Sequence, residues 1–256
     1  MNRKILPPLI MLLTFSQPAL SLNLIGHVAS NNPLNIVAEI SGVVQQAKLE
    51  LGDSVIQGQD LLTIQSQDFS LEVNKQQANL ALSKADLKIK ESIYKRYLQL
   101  QQQQSLSQNE LDIASTDFDA ASASLQLAEI GLIKAELDLD RTQITSSISG
   151  YISQRSIDNG SWVDRGTPLY QVVNIDTLTI RLLASEYEID QLKIGQDIQL
   201  WSEANPNNKV TSTIKRIGIA LVDNSFAYPV DVEINNPRHQ FKPGMSMHAT
   251  TNILDK

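Results

Sequence analysis

The chain has 256 residues, a formal net charge of −7 and no cysteine. The absence of cysteine excludes disulfides, thiolate metal sites and a cysteine nucleophile. The acidic charge argues against a nucleic-acid partner, because phosphate binding needs clustered lysine and arginine. Hydrophobic residues make up 42% of the chain, which is enough for packed cores, but aromatic residues only 5%. This scarcity of aromatic residues favours long helical parts over a compact enzyme.

The N-terminal stretch "MNRKILPPLIMLLTFSQPALSLN" has the features of a secretory signal peptide. Arg3 and Lys4 precede an apolar run, and the small residues Ala19 and Ser21 follow it. The alternative is an uncleaved membrane anchor, but the run is far shorter than the roughly 20 residues that a spanning helix needs. The pattern therefore predicts a signal peptide over residues 1–21, cleaved after Ser21, and an exported protein.

Two segments share one glycine pattern, "ISGVVQQAKLELGDSVIQGQDLLTI" from Ile40 and "ISGYISQRSIDNGSWVDRGTPLYQV" from Ile148, at an offset of 108 residues. Both place glycines 10 and 16 residues after the first one, and we expect turns at Gly42, Gly52, Gly58, Gly150, Gly160 and Gly166. Alternating valine and isoleucine fit half-buried strands. Because neither half can bury its apolar face alone, we expect residues 36–67 and 143–175 to form one β-sandwich.

Residues 68–142, between the two halves, contain no proline and a single glycine, which favours long helices. The second part has apolar residues at intervals of three and four, the heptad pattern of a coiled coil, at Leu111, Ala114, Phe118, Ala121, Leu125, Ala128, Leu132, Ala135 and Leu139. The sequence therefore predicts an antiparallel helical hairpin. Its helices should turn within residues 102–106, where Ser107-x-x-Glu110 forms a capping box for the second helix.

The first helical part has two apolar lines. One contains Ala78, Leu82, Ala85, Ile89, Ile93, Tyr97 and Leu100, and the other Leu80, Leu87 and Tyr94. We expect the first line to face the partner helix. The second line then has no task inside one hairpin. It either packs against neighbouring subunits or forms the edge of a broad core face.

The last segment, residues 176–256, changes to the alternating pattern of strands and predicts a small β-barrel domain. A short helix is expected within residues 185–196, and later strands at Val210–Ile219, Tyr228–Ile234 and Met245–Ile253. Pro243-Gly244 is a turn signal before the last of these strands. We expect residues 22–35 to return to this domain as an additional strand.

No set of residues has the spacing of a catalytic, cofactor or metal site. The three histidines, His27, His239 and His248, are scattered through the sequence. On an alternating strand Met245 and Met247 share one face and His248 takes the other, so we expect two core methionines there. Acidic residues on the helices are interpreted as solvated faces. The sequence predicts a protein that is not an enzyme and has neither cofactor nor metal.

The repeated glycine pattern resembles a lipoyl/biotinyl domain whose halves are separated by an insertion, as in the periplasmic adaptor (membrane fusion, HlyD-like) proteins of tripartite RND-type efflux pumps. The resemblance implies an elongated, multi-module α+β fold. Its parts would be a long antiparallel coiled-coil hairpin inserted in a split lipoyl/biotinyl-like β-sandwich, then a small β-barrel. Because the chain stops at Lys256, the family's membrane-proximal domain is expected to be absent or rudimentary.

In function, the resemblance implies a periplasmic adaptor subunit that takes part in transmembrane transport. It would bridge an inner-membrane exporter, of RND or alternatively ABC type, to a TolC-like outer-membrane channel, as a homo-oligomeric ring. A different class of function is a lipoyl or biotinyl carrier, which needs a lysine on the turn joining the halves. The helical insertion replaces that turn.

Adaptors that dock onto TolC-like channels carry an Arg-x3-Leu-x6-Ser pattern at the hairpin tip. Arg96, Leu100 and Ser107 stand at this spacing. The resemblance implies that they contact the channel, with support from Gln103, Gln104 and Gln108. Read from the residues alone, Arg96 is equally a solvated helix residue, Leu100 a core residue and Ser107 an N-cap.

Overall fold

The structure, a computed structural model, describes residues 22–222 and 226–251. The predicted signal peptide lies outside the described residues. The described part of the chain divides into two compact units, one formed by residues 22–31, 175–222 and 226–251, and the other by Asn32–Asn174. Within the described ranges, no helix combines the length and the apolar character needed to cross a bilayer.

The described part of the chain contains fourteen strands and three helices. The strands are β1 (Asn23–Ser30), β2 (Leu34–Val37), β3 (Gly42–Ala47), β4 (Ser54–Val55), β5 (Asp60–Ile64), β6 (Gln143–Thr145), β7 (Gly150–Arg155), β8 (Trp162–Val163), β9 (Pro168–Val173), β10 (Thr177–Ala184), β11 (Asp197–Ser202), β12 (Asn205–Ile217), β13 (Tyr228–Asn235) and β14 (Ser246–Thr250). The helices are α1 (Gln67–Gln102), α2 (Gln108–Asp140) and α3 (Glu186–Ile189).

The second unit contains a sandwich of two four-stranded sheets, and each sheet takes strands from both halves of the sequence repeat. The strand orders are β2-β9-β7-β4 and β6-β5-β3-β8. The halves also exchange backbone hydrogen bonds: the Gly52 N–H donates to the Ile152 carbonyl (2.9 Å) and the Gly160 N–H donates to the Val44 carbonyl (2.8 Å). The two donor residues are 108 residues apart in the sequence, and so are the two acceptor residues. The predicted sandwich of two facing halves is confirmed.

A second reciprocal pair of bonds ties the turns of each half to a serine of the other. The Gln57 N–H donates to Ser149 Oγ (3.0 Å) and the Arg165 N–H donates to Ser41 Oγ (3.1 Å). A single apolar core, which includes Leu61, Ile64, Leu169 and Val172, lies between the sheets. The sequence repeat is therefore a structural symmetry, and each half completes the hydrogen bonding of the other.

Four of the six repeat glycines have the predicted role in turns. These four, Gly52, Gly58, Gly160 and Gly166, have φ values between +80° and +91°. A residue with a Cβ adopts this region only at a cost in free energy. For Gly42 and Gly150 the prediction was wrong, since each is the first residue of a strand and lacks a positive φ. They are needed for close approach instead: a Cβ would lie 2.6 Å from Ile64 Cγ2 at Gly42 and 2.3 Å from the Val173 carbonyl oxygen at Gly150.

The helices α1 and α2 form the antiparallel hairpin inserted between the halves, with 36 and 33 residues. At 1.5 Å per residue, α1 is about 54 Å long. The predicted heptad stripe of α2 faces α1. Its alanines and its first leucine are buried, namely Leu111, Ala114, Ala121, Ala128 and Ala135, and the other members are half-buried. Small side chains at alternate positions let the two backbones approach closely.

The prediction that the first apolar line of α1, from Ala78 to Leu100, faces α2 is wrong for most of its length. Leu82 is 69% exposed and Ile89 is 58% exposed, and Ala78 and Ala85 are exposed as well. The inner stripe of α1 instead alternates in polarity and consists of Val73, Gln76, Leu80, Ser83, Leu87, Lys90, Tyr94 and Tyr97, all buried or half-buried. The line of Leu80, Leu87 and Tyr94 therefore belongs to the hairpin interior, which agrees with the second of the two alternatives, a broad core face, and not with a contact between subunits.

Polar members of the inner stripe have partners on α2. The Lys90 ammonium lies 2.8 Å from an Asp117 carboxylate oxygen, and this hydrogen bond raises the pKa of Lys90. One turn further along, the rings of Tyr94 and Phe118 stack at 5.6 Å. Gln76 faces Gly131, where an added Cβ would lie 3.1 Å from the Gln76 side-chain oxygen. These contacts fix the register of the two helices although the stripe is only partly apolar.

The first unit is a closed barrel with strand order β1-β10-β13-β12-β11-β14. Inward-facing aliphatic residues such as Leu178, Ile180 and Leu200 are fully buried. Of the two predicted core methionines, Met247 is buried, but the prediction was wrong for Met245, which precedes β14 and is only half-buried. His248, on the face opposite Met247, stacks on Trp201 at 5.9 Å. The short helix α3 is shorter than expected, and Ile253 of the predicted last strand lies outside the described residues.

Candidate docking tip of the helical hairpin

The hairpin tip is the five-residue connection between Gln102 and Gln108. The chain leaves α1 through Gln104, which has a φ of +57°, and the Ser105 N–H donates to the Leu100 carbonyl at 2.9 Å. These local bonds satisfy carbonyl groups that the end of α1 leaves without partners. The tip is therefore an ordered turn.

Ser107 is the N-cap of α2 and takes part in a complete capping box. Its Oγ accepts a hydrogen bond from the Glu110 N–H (3.3 Å), and both its N–H (3.1 Å) and its hydroxyl (2.7 Å) donate to one Glu110 carboxylate oxygen. The bonds from the Ser107 hydroxyl and then from its N–H lower the pKa of Glu110. Ser107 itself is exposed, so its position is fixed while its surface remains accessible.

Arg96 and Leu100 lie four residues apart on α1, so they share one face of the helix just before the tip. Arg96 is exposed, and no carboxylate among the described residues forms an ion pair with it. Leu100 is half-buried. The guanidinium therefore retains its full capacity to donate to a carboxylate or to carbonyl groups of another molecule.

The structure thus brings the three predicted residues to one end of the hairpin, within the last two turns of α1 and the start of α2. It also shows a contact that sequence reasoning missed: the Gln101 side-chain amide donates to Gln108 across the turn at 3.5 Å. Gln103 and Gln104 are exposed and contribute polar groups to the same end. The dense run of glutamines was the available signal for such a bridge.

Each helix of the hairpin also has an apolar outer stripe on the face opposite its partner. The stripes have heptad spacing and consist of exposed residues, Leu71, Ala78, Leu82, Ala85 and Ile89 on α1, and Ile113, Ala120, Ala123, Leu127, Ile130 and Leu137 on α2. A helix that serves only a two-helix hairpin is polar on this face. Two heptad stripes on opposite faces suit a helix with a neighbour on each side.

No group of three or more histidine, aspartate or glutamate side chains within the described ranges is arranged to hold a metal ion. The two halves of the sandwich are joined through α1 and α2, so the tight turn that presents a carrier lysine in lipoyl or biotinyl domains is replaced by the hairpin.

A split β-sandwich that carries a helical hairpin and precedes a closed β-barrel defines the architecture of the membrane fusion proteins. Comparison with family models agrees. Residues 33–174, more than half of the chain, match the CzcB-like barrel-sandwich hybrid domain, and residues 180–253 match the CusB-like β-barrel domain. The chain therefore belongs to the periplasmic adaptor, or membrane fusion, family.

Within the aligned segments, curated relatives are identical to the chain at about a quarter of the positions. It is 27% identical to the multidrug resistance protein MdtA of Xenorhabdus bovienii, over 67% of this chain and 42% of that protein. It is also 27% identical to the multidrug/solvent efflux pump periplasmic linker protein MepA of Pseudomonas putida, over 88% of this chain and 59% of the relative. The chain thus spans about half the length of the curated relatives that it matches.

Solved structures show the same fold. A MacA–MexA chimeric protein with the Pseudomonas aeruginosa MexA α-hairpin domain superposes with a TM-score of 0.73 at 22% identity, covering 90% of this chain and 80% of that one. The membrane fusion protein Spr0693 of Streptococcus pneumoniae gives 0.72 at 18% identity, covering 92% and 99%. The predicted fold class is confirmed.

Proposed function

We propose that the protein is a non-catalytic periplasmic adaptor that connects an inner-membrane transporter of the RND type to a TolC-like outer-membrane channel. The observation that carries the proposal is the long hairpin whose ordered tip presents Arg96, Leu100 and Ser107. The names of the relatives, which include a periplasmic linker of an efflux pump, support the same role. A periplasmic location follows from that role.

The tip offers three kinds of contact to the channel. The guanidinium of Arg96 is exposed and can bind channel carboxylates or carbonyl groups through two parallel hydrogen bonds. Leu100, on the same face, adds an apolar contact. The Ser107 hydroxyl already donates its proton to Glu110. A channel group can therefore donate a hydrogen bond to Ser107 Oγ or contact the surface around it, so Ser107 contributes mainly through its position.

Docking through such small tips needs several copies. The outer stripes of α1 and α2 lie on opposite sides of the hairpin, so one hairpin can pack between two others, α1 of one copy against α2 of the next. This contact joins two different surfaces and closes into a ring when the rotation between copies allows it. In a ring, weak contacts at individual tips add up to stable docking through avidity.

The test is recovery of a TolC-like channel on the immobilised adaptor, with Arg96→Ala and Ser107→Arg as tip variants. We expect at least a roughly tenfold loss of recovered channel for each, because the lost contact is multiplied by the number of tips. Arg165→Ala is the matched control, since Arg165 is an exposed arginine on a turn of the sandwich. Undiminished recovery with both tip variants would refute the assignment of the tip.

The transporter class is tested separately. Cross-linking in cells that contain one RND and one ABC exporter should yield adducts of the adaptor with the RND protein. Adducts with the ABC protein alone would favour the alternative exporter class. Intact mass measurement addresses the carrier function: a lipoyl or biotinyl addition to a lysine would contradict the adaptor role.

A further inference from the structure

The two helices of the hairpin differ strongly in charge. Six basic and four acidic side chains give α1 a formal charge of +2, whereas one basic and eight acidic side chains give α2 a formal charge of −7. Among the described residues, a single ion pair connects the two helices, between Lys90 and Asp117. Most of the opposite charge on α1 and α2 is therefore not used to hold one hairpin together.

Lysine side chains line one flank of the outer stripe of α1. This flank, called the basic flank, repeats at intervals of three and four residues like the stripe itself and consists of Lys84, Lys88, Glu91 and Lys95. All three lysines are exposed. Lys95 lies 2.6 Å from Glu91, whereas Lys84 and Lys88 form no ion pair with any residue that the structure describes.

The corresponding flank of α2 is acidic throughout. This acidic flank consists of four exposed residues, Asp112, Asp119, Glu129 and Glu136. None of the four forms an ion pair within the described ranges. Asp119 directly precedes Ala120 of the outer stripe, just as Lys88 directly precedes Ile89 on α1, so the two flanks lie on matching sides of their stripes. When two such helices pack antiparallel, matching flanks meet across the seam.

The carboxylates on the other flanks are compensated within one chain. Three of them form ion pairs, namely Glu72 with Lys75, Asp117 with Lys90, and Asp138 with Arg141. The hydrogen bond and the charge of Asp117, and then the charge of Asp86, raise the pKa of Lys90. The charge that remains available for another copy is thus concentrated on the basic flank and the acidic flank.

The register of the hairpin determines which charges meet when two copies stand side by side at the same height. Tyr94 of α1 stacks on Phe118 of α2 at 5.6 Å, so these two residues are level. At 1.5 Å per residue, Lys95 of one copy and Asp119 of the next then differ in height by about 3 Å. Lys84 and Glu129 differ by only about 1.5 Å. Both differences are within the reach of a lysine side chain.

We infer that the basic flank of α1 binds the acidic flank of α2 in the next copy of the chain, and that these charges select this pairing of helices. The outer stripes are apolar on both helices, so they supply burial but do not distinguish α1 from α2. Charged positions beside an apolar seam set partner choice and orientation, and like charges exclude the contacts of α1 with α1 and of α2 with α2. The inference rests on the side-by-side packing in the proposed function, but not on docking at the tip.

The experiment is an exchange of charges, followed by sedimentation velocity of the full chain. The basic-flank variant replaces three lysines by glutamate, Lys84→Glu, Lys88→Glu and Lys95→Glu. The acidic-flank variant replaces three carboxylates by lysine, Asp119→Lys, Glu129→Lys and Glu136→Lys. Each variant alone should raise the dissociation constant of self-association at least about tenfold, because attraction becomes repulsion at several pairs. An equimolar mixture should assemble again, because α1 of each variant then faces α2 of the other with opposite charge.

The matched control reverses three exposed basic residues of the barrel, Lys193→Glu, Arg238→Glu and Lys242→Glu. It has the same net charge as the basic-flank variant and should associate like the unaltered chain. Equal losses in the control and the basic-flank variant would overturn the inference. So would undiminished association of both flank variants, a mixture that fails to assemble, or an unaltered chain that forms no oligomer.

Disulfide formation shows which helices meet. The chain has no cysteine, so Ile89→Cys/Ala123→Cys introduces its only thiols, one on the outer stripe of each helix. They lie on opposite sides of one hairpin, and oxidation should therefore link copies into a ladder of oligomers. Each single variant should stay monomeric. Dimers of Ile89→Cys alone or of Ala123→Cys alone would reveal contacts between like helices and overturn the inference. Neither measurement involves the channel, so a failure of docking is recognised separately.

Discussion

Alanine at the two strand glycines of the repeat should destabilise the sandwich to different extents. At Gly150 a new Cβ would lie 2.3 Å from the Val173 carbonyl oxygen and 2.7 Å from its carbonyl carbon. Ordinary contact begins near 3.4 Å, so the paired backbones of β7 and β9 must separate by about 1 Å. Overpacking costs typically 1–3 kcal/mol, and we expect about 3 kcal/mol because backbone atoms cannot rotate away.

At the equivalent Gly42 the obstacle is a side chain, Ile64 Cγ2 at 2.6 Å. Ile64 is fully buried and can give way only by leaving its preferred rotamer, so we expect a smaller loss of about 1–2 kcal/mol. Gly58→Ala is the reference for strain alone, since Gly58 has a φ of +81° and nothing within 4 Å of an added Cβ. It should cost about 1 kcal/mol.

The assay is urea unfolding followed by the fluorescence of Trp162, which lies in the sandwich, in a Trp201→Phe background that silences the barrel. A double-mutant cycle with Ile64→Ala should recover part of the Gly42→Ala loss, because it removes the obstructing methyl group. No such recovery is available at Gly150. An equal or smaller effect of Gly150→Ala than of Gly42→Ala would refute the close-approach explanation.

Three further predictions test the hairpin and the barrel. Leu80→Ala should lower the free energy of unfolding by about 1–2 kcal/mol, because Leu80 is half-buried against α2. Leu82→Ala, on the outer stripe, should change it by less than about 0.5 kcal/mol but weaken self-association, measured by thermal unfolding and by sedimentation. Asp231→Asn should cost about 1–3 kcal/mol at neutral pH. Burial alone would raise the pKa of Asp231, but its hydrogen bonds and its attraction to arginine side chains lower it. The stabilisation is therefore complete above about pH 4, the ordinary range of the unfolded carboxyl, and is lost as the pH falls through the folded pKa. The gap between Asp231→Asn and the unaltered chain in urea midpoints should close in acid. Ser107→Asn keeps an N-cap but removes the hydroxyl, so channel recovery near that of the unaltered chain means that the cap positions the tip. The reference variant is Ser107→Ala, which removes both the cap and the hydroxyl. Recovery with Ser107→Asn as low as with Ser107→Ala would show that the hydroxyl itself contacts the channel.

The two helices of the hairpin differ in how well their sequences predicted their packing. In α2 the interior line is apolar throughout, so the heptad pattern alone identified the face that meets α1. In α1 the interior line includes Gln76, Ser83 and Lys90, and a pattern search for apolar residues rejects such a line. Lys90 is tolerated there because Asp117 on α2 neutralises it. That partner is known only once the register of the helices is known.

The repeat glycines show a similar limit. Their spacing was sufficient to pair the two halves of the sandwich, because the offset is constant over three positions. It could not separate the two physical uses of glycine, a positive φ at a turn and the close approach of a neighbouring atom. At Gly42 and Gly150 the deciding neighbours are Ile64 and Val173, which come from other strands. The sequence around each glycine contains no information on them.

The distribution of apolar residues on α1 separates what holds the hairpin together from what it offers to other molecules. Leu80 and Leu87 are turned toward α2, whereas Leu82 and Ile89, two residues later in each case, are largely exposed. The helix α1 thus has polar side chains in its interior line and leucine and isoleucine on its outer face. Less apolar surface is therefore buried within the monomer than an apolar interior line would bury. The exposed leucine and isoleucine side chains contribute favourable burial free energy only when another molecule covers them. The alternation in polarity of the inner stripe is thus an argument for assembly that is independent of the tip motif, because it rests on burial of individual side chains.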